Sequence, residues 1–315
     1  MRKFIMLAVI ILIGLFSFLI PQFQWLSSYY QLVLMTIGIN IILTLSLNLV
    51  NGFMGEFSVG HAGFMSIGAY VASVFSLHVF PENLFIISIL SGGIAAAFGG
   101  VLIAILSFKT RGDYLAILTL AFLMIVKSII ENIQSIGGAR GLSGISQLTT
   151  LPWVFFWLLV TFILMRNLVY SRFGRNILAI REDEMVARLM GVNTRQTKIL
   201  AFAISAFFTG IAGGLYAHVL QFINPSMFNL AKSTDILIMV YLGGAGSLSG
   251  SIIGGTLYTL LMEILRPLAT WRMVIMPIIL ILLMIFRPSG IMGYKEFSLF
   301  RPSQKYFRPK KALKA

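Results

Sequence analysis

Apolar residues run through this chain in blocks of roughly twenty, separated by short polar turns, and such blocks predict membrane-spanning helices. They fall at 4–20, 31–50, 62–80, 84–108, 114–133, 152–168, 199–222, 235–246, 251–265 and 271–286, of which 235–246 and 251–265 are short. The expected fold is an all-α membrane protein, a polytopic bundle of about ten transmembrane segments with broken helices and an internal repeat. One long interior stretch cannot sit in hydrocarbon. Residues 170–200, YSRFGRNILAIREDEMVARLMGVNTRQTKIL, hold most of the basic residues of the middle of the chain and the acidic run Glu182, Asp183, Glu184. Within it Leu178, Met185, Val186 and Leu189 share a helical face, and Glu184 precedes Arg188 in the favourable i,i+4 order. Gly191 is a natural stop, and Asn193 followed by Gln196 resembles a capping box. A short amphipathic surface helix between two spans is therefore expected.

Two regions interrupt the apolar pattern in corresponding ways. Residues 51–70 read NGFMGEFSVGHAGFMSIGAY and residues 243–255 read GGAGSLSGSIIGG. Backbone that leaves the helix at membrane depth is tolerated only inside protein or against a wet cavity, and paired interruptions point to a repeat with a substrate path at its interface. The expected path residues are Glu56, Ser58, His61, Gly243, Gly244, Gly246 and Ser247. The competing reading is that small residues only let helices approach closely, which also suits 95–100.

Composition agrees: 58% of the 315 residues are hydrophobic and 11% charged. The net charge of +14 would suit nucleic acid, but its placement does not. With Arg2 and Lys3 in the cytoplasm, ten crossings put Lys109, Arg111, the basic residues from Arg166 to Lys198 and those from Arg287 to Lys314 on the same side. Merging 235–265 into one crossing would send the basic tail outside. The expectation is thus a multi-pass cell-membrane protein with both termini cytoplasmic, surrounded by membrane lipid and without a nucleic-acid partner. Residues 1–20 imitate a signal peptide, yet Pro21 and Gln22 follow instead of a small-x-small cleavage site, so an uncleaved first span is expected. No cysteine is present.

Nothing in the pattern points to covalent chemistry. No Gly-Lys pair exists for a P-loop, His61, His78 and His218 are scattered, and GHAG and GSLSG do not match a nucleophile elbow. No enzyme activity, cofactor or metal is expected. Among ionisable residues near the membrane, Lys127 with Glu131 and Glu263 with Arg266 are expected as local pairs, Arg111 and Asp113 as a helix start, and Asp235 as a first-turn acid favoured by the helix dipole. Glu56 and His61 stand apart because they lie in the first glycine-rich break.

The stretches GEFSVGHAGFMSIGAY, RGDYLAILTLAF, GGARGLSGI, SRFGRNILAIREDEMVARLMGVNTRQTKILAFAISAFFTGIAGGLYA and ILIMVYLGGAGSLSGSIIGG closely resemble the LivM branch of the branched-chain amino acid permeases of ABC importers. They cover most of 51–255 in family order. The resemblance implies a transmembrane permease domain over 1–300 with a cytoplasmic coupling loop at 170–198, then a basic cytoplasmic tail at 301–315. It implies import of leucine, isoleucine and valine, and as partners a second, LivH-like permease subunit, two cytoplasmic ATPase subunits and an extracytoplasmic binding protein. In such families an E-A-A pattern with a downstream glycine marks the ATPase-docking helix. The matching positions are Glu184, Ala187 and Gly191, flanked by Arg181, Glu182, Asp183 and Arg188, while Val186 and Arg188 depart from the pattern. Related branches move urea or short-chain amides, and an ion-coupled secondary transporter would need a cluster of midplane acids.

The topology is testable in this cysteine-free chain. Ser28→Cys and Asn83→Cys are expected to react with an impermeant maleimide on intact cells, and Ser303→Cys only after permeabilisation. The reverse pattern for Asn83 and Ser303 would overturn the ten-crossing arrangement.

Overall fold

The computed structural model describes residues 27–79, 84–107, 113–287, 289–293 and 296–297. The expected span 4–20, the turn at 81–83, Lys109 and Arg111, and the tail at 301–315 lie outside the described residues. Eleven α-helices are described: α1 Ser28–Asn48, α2 His61–His78, α3 Phe85–Ser107, α4 Asp113–Asn132, α5 Leu151–Val169, α6 Arg172–Glu182, α7 Glu184–Leu189, α8 Thr194–Leu220, α9 Leu230–Gly243, α10 Leu248–Ile264 and α11 Arg272–Phe286. All but α6 and α7 coincide with an expected apolar block. The described residues hold five helices long and apolar enough to cross a membrane: α1 with the π turn Leu49–Phe53 that continues it, α3, α4, α5 and α8. At 14 residues α9 reaches only about 21 Å, short of a hydrocarbon core about 30 Å thick.

Burial sorts the helices into an interior and a rim. Of the most apolar window, 78% is buried in α1 and 67% in α8, against 28% in α4 and 33% in α5. The rim turns large apolar side chains outward, including Ile94, Phe98 and Leu102 on α3, Ile117 and Ile125 on α4, and Ile281 and Ile285 on α11. A soluble protein would not expose such a band, whereas lipid accepts it.

Between apolar helices in lipid, association relies on close packing more than on expulsion of water. Here α2, α3 and α8 meet where each carries a small residue. A Cβ on Gly68 would lie 2.2 Å from the Gly210 carbonyl oxygen, and one on Gly92 would lie 2.5 Å from the Gly68 carbonyl oxygen. Gly100 packs on Ala206 and the Phe202 carbonyl, so the small residues at the end of the 95–100 stretch serve packing. Contacts of His61 with Ser205, Gly68 with Gly210 and Ser76 with His218 show that α2 and α8 run parallel. A two-residue antiparallel ladder, β1 Leu142–Ser143 with β2 Phe222–Ile223, joins the segments that follow α4 and α8, with Leu142 opposite Ile223.

Two expected ion pairs and two expected helix starts need comment. Lys127 and Glu131 pair at 3.7 Å, and Glu263 pairs with Arg266 at 3.3 Å. The chain enters α4 at Asp113. Asp235 departs from expectation: α9 begins at Leu230, capped by the Asn229 side chain on the Lys232 N–H, so its first turn holds no acid. Asp235 falls in the second turn, beside the Tyr258 hydroxyl, with Lys232 and Arg272 nearby.

The glycine contact makes Gly68→Leu a stringent test. Because the obstructing atoms are backbone, the change is expected to destabilise by about 1–3 kcal/mol or more, read as a lowered Tm in detergent. Phe98→Leu, at a site 75% exposed, should leave Tm nearly unchanged.

Candidate functional site

The two breaks lie side by side, at the end of the bundle that also carries α6 and α7. The first runs from the π turn at Leu49–Phe53 to the start of α2, and the second separates α9 from α10. Asn48, buried in α1, joins them. Its Nδ2 donates to the Ser247 carbonyl at 2.8 Å and to Ser251 Oγ at 2.7 Å, while its Oδ1 accepts the Gly246 N–H at 2.8 Å. Gly52 completes the contact, since a Cβ there would lie 2.3 Å from the Gly246 nitrogen. Within the first break, the Asn51 side chain closes the loop by accepting the Ser58 N–H at 3.1 Å and donating to the Ser58 carbonyl.

The second break accounts for its orphaned helix donors in full. Ser247 Oγ accepts from the Gly250 N–H, and the Glu296 carboxylate accepts from the N–H groups of Leu248 and Ser249. A carboxylate at a helix N-terminus also meets the positive end of the helix dipole. Gly243 packs against Gly250 and Gly254, and Gly244 adopts φ +125 against Gly293 and Ser289. The chain at 291–292 further donates to the Leu242 and Gly243 carbonyls.

His61 opens α2 and is buried. Ser205 Oγ donates to the Ser46 carbonyl at 2.6 Å, so it must accept from His61 Nε2 at 2.8 Å. This makes Nε2 a donor, and Nδ1 lies 3.4 Å from Ser58 Oγ. Ser58 and His61 thus tie the first break to α8. Of the expected path residues, Gly246 and Ser247 meet the first break through Asn48, Ser58 and His61 form their own cluster, and Gly243 and Gly244 pack on the 289–293 turn.

The polar segment is two helices instead of one. Asp183 adopts φ −161 and ψ 115, and its side chain accepts the N–H groups of Met185, at 2.7 Å, and Val186. It therefore ends α6 and caps α7; in a continuous helix those N–H groups would bond to preceding carbonyls. The expected common face splits accordingly. On α6, capped by Ser171, Ile177 and Ile180 are buried and Leu178 packs against the core. On α7 and its end, Met185, Val186, Leu189 and Met190 are exposed, Leu189 at 85%, while Ala187 is buried inward. Gly191 stops α7 at φ +84 with open space around it, and Asn193 Oδ1 caps α8 on the Gln196 N–H at 3.1 Å. Glu184 pairs with Arg188 at 3.6 Å, and Glu182 is exposed.

The same segment reaches into the first break. Arg181 Nη1 donates to the Gly52 carbonyl at 3.0 Å, and its stem packs on Gly55, which holds φ +78. Lys198, only 3% exposed, places Nζ between two carboxylates, Glu56 of the break and Glu184 of α7, the latter at 3.0 Å. Removing one partner from so buried a group typically costs about 3–5 kcal/mol.

Asn48, Lys198, Ser205 and Glu296 were not among the expected site residues. For Lys198 a signal existed: Thr194, Thr197, Lys198 and Ala201 share the i, i+3, i+4, i+7 face that α8 buries, which marks a charge in need of partners. Glu296 lies 47 residues from Ser249, and no local pattern links them.

Asn48→Ala would strand the Gly246 N–H, at about 1–3 kcal/mol, and remove a bond from the Ser247 carbonyl, which keeps the Ser251 N–H. A Tm clearly below wild type is expected, with Ser251→Ala milder because the other two bonds remain.

Comparison with known proteins bears on this arrangement. No solved structure matches. The chain is 33% identical over 289 residues to the high-affinity branched-chain amino acid transport system permease protein LivM of Escherichia coli K12, covering 81% of this chain and 68% of that one. It is 34% identical over 161 residues to LivH of the same organism, covering 48% of this chain and 50% of LivH. The similarity to the probable LivM of Methanocaldococcus jannaschii is 23% over 322 residues, covering 84% and 93%. Residues 29–286, which hold both breaks and the polar segment, match the family described as branched-chain amino acid transport system / permease component, and the chain belongs to that family.

Proposed function

We propose that this chain is the permease subunit of an ATP-driven importer of branched-chain amino acids, engaged by an ATPase subunit at α7. The observation that carries the reading is the exposed apolar surface of Met185, Val186, Leu189 and Met190 on a polar segment, in a chain of this permease family. An amphipathic helix in a groove is a recurring docking mode, with apolar anchors supplying affinity and charges setting orientation. Arg181, Glu182, Asp183, Glu184, Ala187, Arg188 and Gly191 then divide by role. Asp183 and Gly191 bound the helix, Ala187 seats it, Glu184 ties it to the bundle and Arg181 anchors the end of α6 before it, leaving Glu182 and Arg188 to face the partner.

The remaining partners are a second, LivH-like permease subunit, a second ATPase subunit and an extracytoplasmic binding protein; the chain itself does no covalent chemistry. Its permease domain covers 1–300 with the coupling loop at 170–198, followed by the basic tail 301–315. Ten crossings put α6, α7 and both termini in the cytoplasm, which the sorting of basic residues supports. An internal repeat is supported by two helix–break–helix units, α1 with α2 and α9 with α10, whose breaks touch. Glu56, Ser58, His61, Gly243, Gly244, Gly246 and Ser247 border the path on this reading, and opening it requires the breaks to separate around Asn48. Backbone and hydroxyl groups freed there would meet a zwitterion during passage.

Reconstituted complexes test the reading. Wild type should take up radiolabelled leucine in an ATP-dependent manner, competed by isoleucine and valine and not by urea. Leu189→Asp removes an apolar anchor, and Gly191→Val forces a β-branched residue into a left-handed conformation. Both variants should insert normally yet lose bound ATPase subunits and at least tenfold of uptake. Full ATPase content and uptake in both would overturn the docking role.

A further inference from the structure

We propose that Lys198 is the coupling residue that carries displacement of α7 to the two breaks, through its simultaneous ion pairs with Glu184 and Glu56. The proposal rests on the docking reading of α7 and adds the residue through which that docking acts.

The geometry separates a fixed helix from a movable one. α6 buries Gly174, Ile177 and Ile180, whereas Ala187 is the buried residue of α7. Both ends of α7 leave helical geometry, at Asp183 with φ −161 and at Gly191 with φ +84. Short non-helical joints at the two ends of an element are where rigid-body movement is absorbed. What holds the front of α7 to the bundle is Glu184, the first residue of α7, through Nζ of Lys198.

From Lys198 the connection continues inward. Its second carboxylate, Glu56, belongs to the first break, whose backbone is anchored to the π turn by the Glu56 N–H on the Val50 carbonyl at 3.1 Å. That turn abuts the second break where Gly52 meets Gly246, and Asn48 just before it binds Gly246, Ser247 and Ser251. Movement of α7 that strains or releases Glu184 therefore acts on a cation shared with the first break, and the first break packs on the second at Gly52, beside the Asn48 hydrogen bonds. Lys198 itself sits at the base of α8, one of the two interior helices. Energetic coupling needs a contiguous set of groups with alternative arrangements, and a cation between two carboxylates is such a group. Arg181 on α6 holds the Gly52 carbonyl and supplies a fixed point against which the shift is made.

A simpler role for Lys198 would be to neutralise two carboxylates, and the two roles separate by experiment. The reconstituted complex, with its ATPase subunits and binding protein, is measured for ATPase content, ATP hydrolysis and leucine uptake, giving leucine moved per ATP hydrolysed. Lys198→Met is expected to retain ATPase subunits and hydrolysis within about twofold of wild type, while the transport ratio falls about tenfold, inside the ~5–150-fold range of allosteric couplings. Lys198→Arg should recover much of the ratio. The double variant Glu56→Gln with Lys198→Met removes charge from both sides and should remain uncoupled. Recovery of uptake in the double variant would assign Lys198 to charge balance and overturn the proposal. So would uptake and hydrolysis falling in proportion, an unchanged ratio in Lys198→Met, or failure of Lys198→Met and Lys198→Arg alike to assemble. Leu189→Asp in the same series keeps the two readings apart. If it retains ATPase content, the docking reading fails; if it loses the subunits while Lys198→Met transports normally, only the role of Lys198 fails.

Discussion

Backbone polar groups that leave a helix inside an apolar bundle must find partners, because no water is present to accept them. This requirement organises the end of the molecule where α1, α2, α9 and α10 are interrupted. Asn48 and Asn51 act as substitutes for missing backbone, each supplying both a donor and an acceptor. Ser247 and Glu296 supply acceptors for the free N–H groups at the start of α10. An amide side chain suits this task because it offers the same pair of groups as a peptide unit, and it is neutral, which spares the large desolvation cost of a buried charge. The breaks are therefore held together by side chains that can exchange partners, in contrast to helix interiors, where each bond is locked into a ladder.

Lys198 is a different case, a charge only 3% exposed at the base of α8. Buried ion pairs rarely add net stability over well-packed apolar substitutes, so their presence calls for another reason. Here the partners come from two different parts of the chain, the first break and α7, and no hydrophobic contact could be directional enough to respond to both. Coupling requires an interaction that changes when one partner moves, and two carboxylates competing for one ammonium meet that condition. The partial exposure of Glu56 and Glu184, with side chains 16% and 22% accessible, lowers the cost of burying the cation.

The apolar periodicity made nine of the helices legible, since length and composition decide what can lie in hydrocarbon. Local capping was legible too: Gly191 and Asn193 do what their residue types favour, because those interactions span three or four positions. The helix break at Asp183 was less so. Its neighbours carry the same helical spacing on either side, and the competition between a side-chain cap and a backbone ladder depends on where Ile177 and Ile180 anchor α6. Asp235 shows a related limit, because the chain enters α9 earlier than the apolar run begins, through an Asn229 cap on polar residues. The contacts of Asn48 with Ser247, 199 residues away, have no local signature at all. Paired glycine interruptions nonetheless identified both breaks, although only three dimensions put them in contact.

The two kinds of small-residue contact in this chain have different mechanical consequences. At the crossing of α2, α3 and α8, glycines bring backbones together so closely that sliding would drive carbonyl oxygens into one another, and the three helices must move as a body. At the breaks, glycines admit irregular backbone whose hydrogen bonds are made by side chains, and separation there costs bonds that new partners can replace. A permease has to open without dissolving its own core. Rigid packing along α2, α3 and α8 beside an exchangeable polar junction at residues 48–58 and 244–251 confines the change to that junction. The charge that reports the position of α7 enters the bundle at the same place, so the stiff part of the structure can transmit a displacement and the soft part can yield to it.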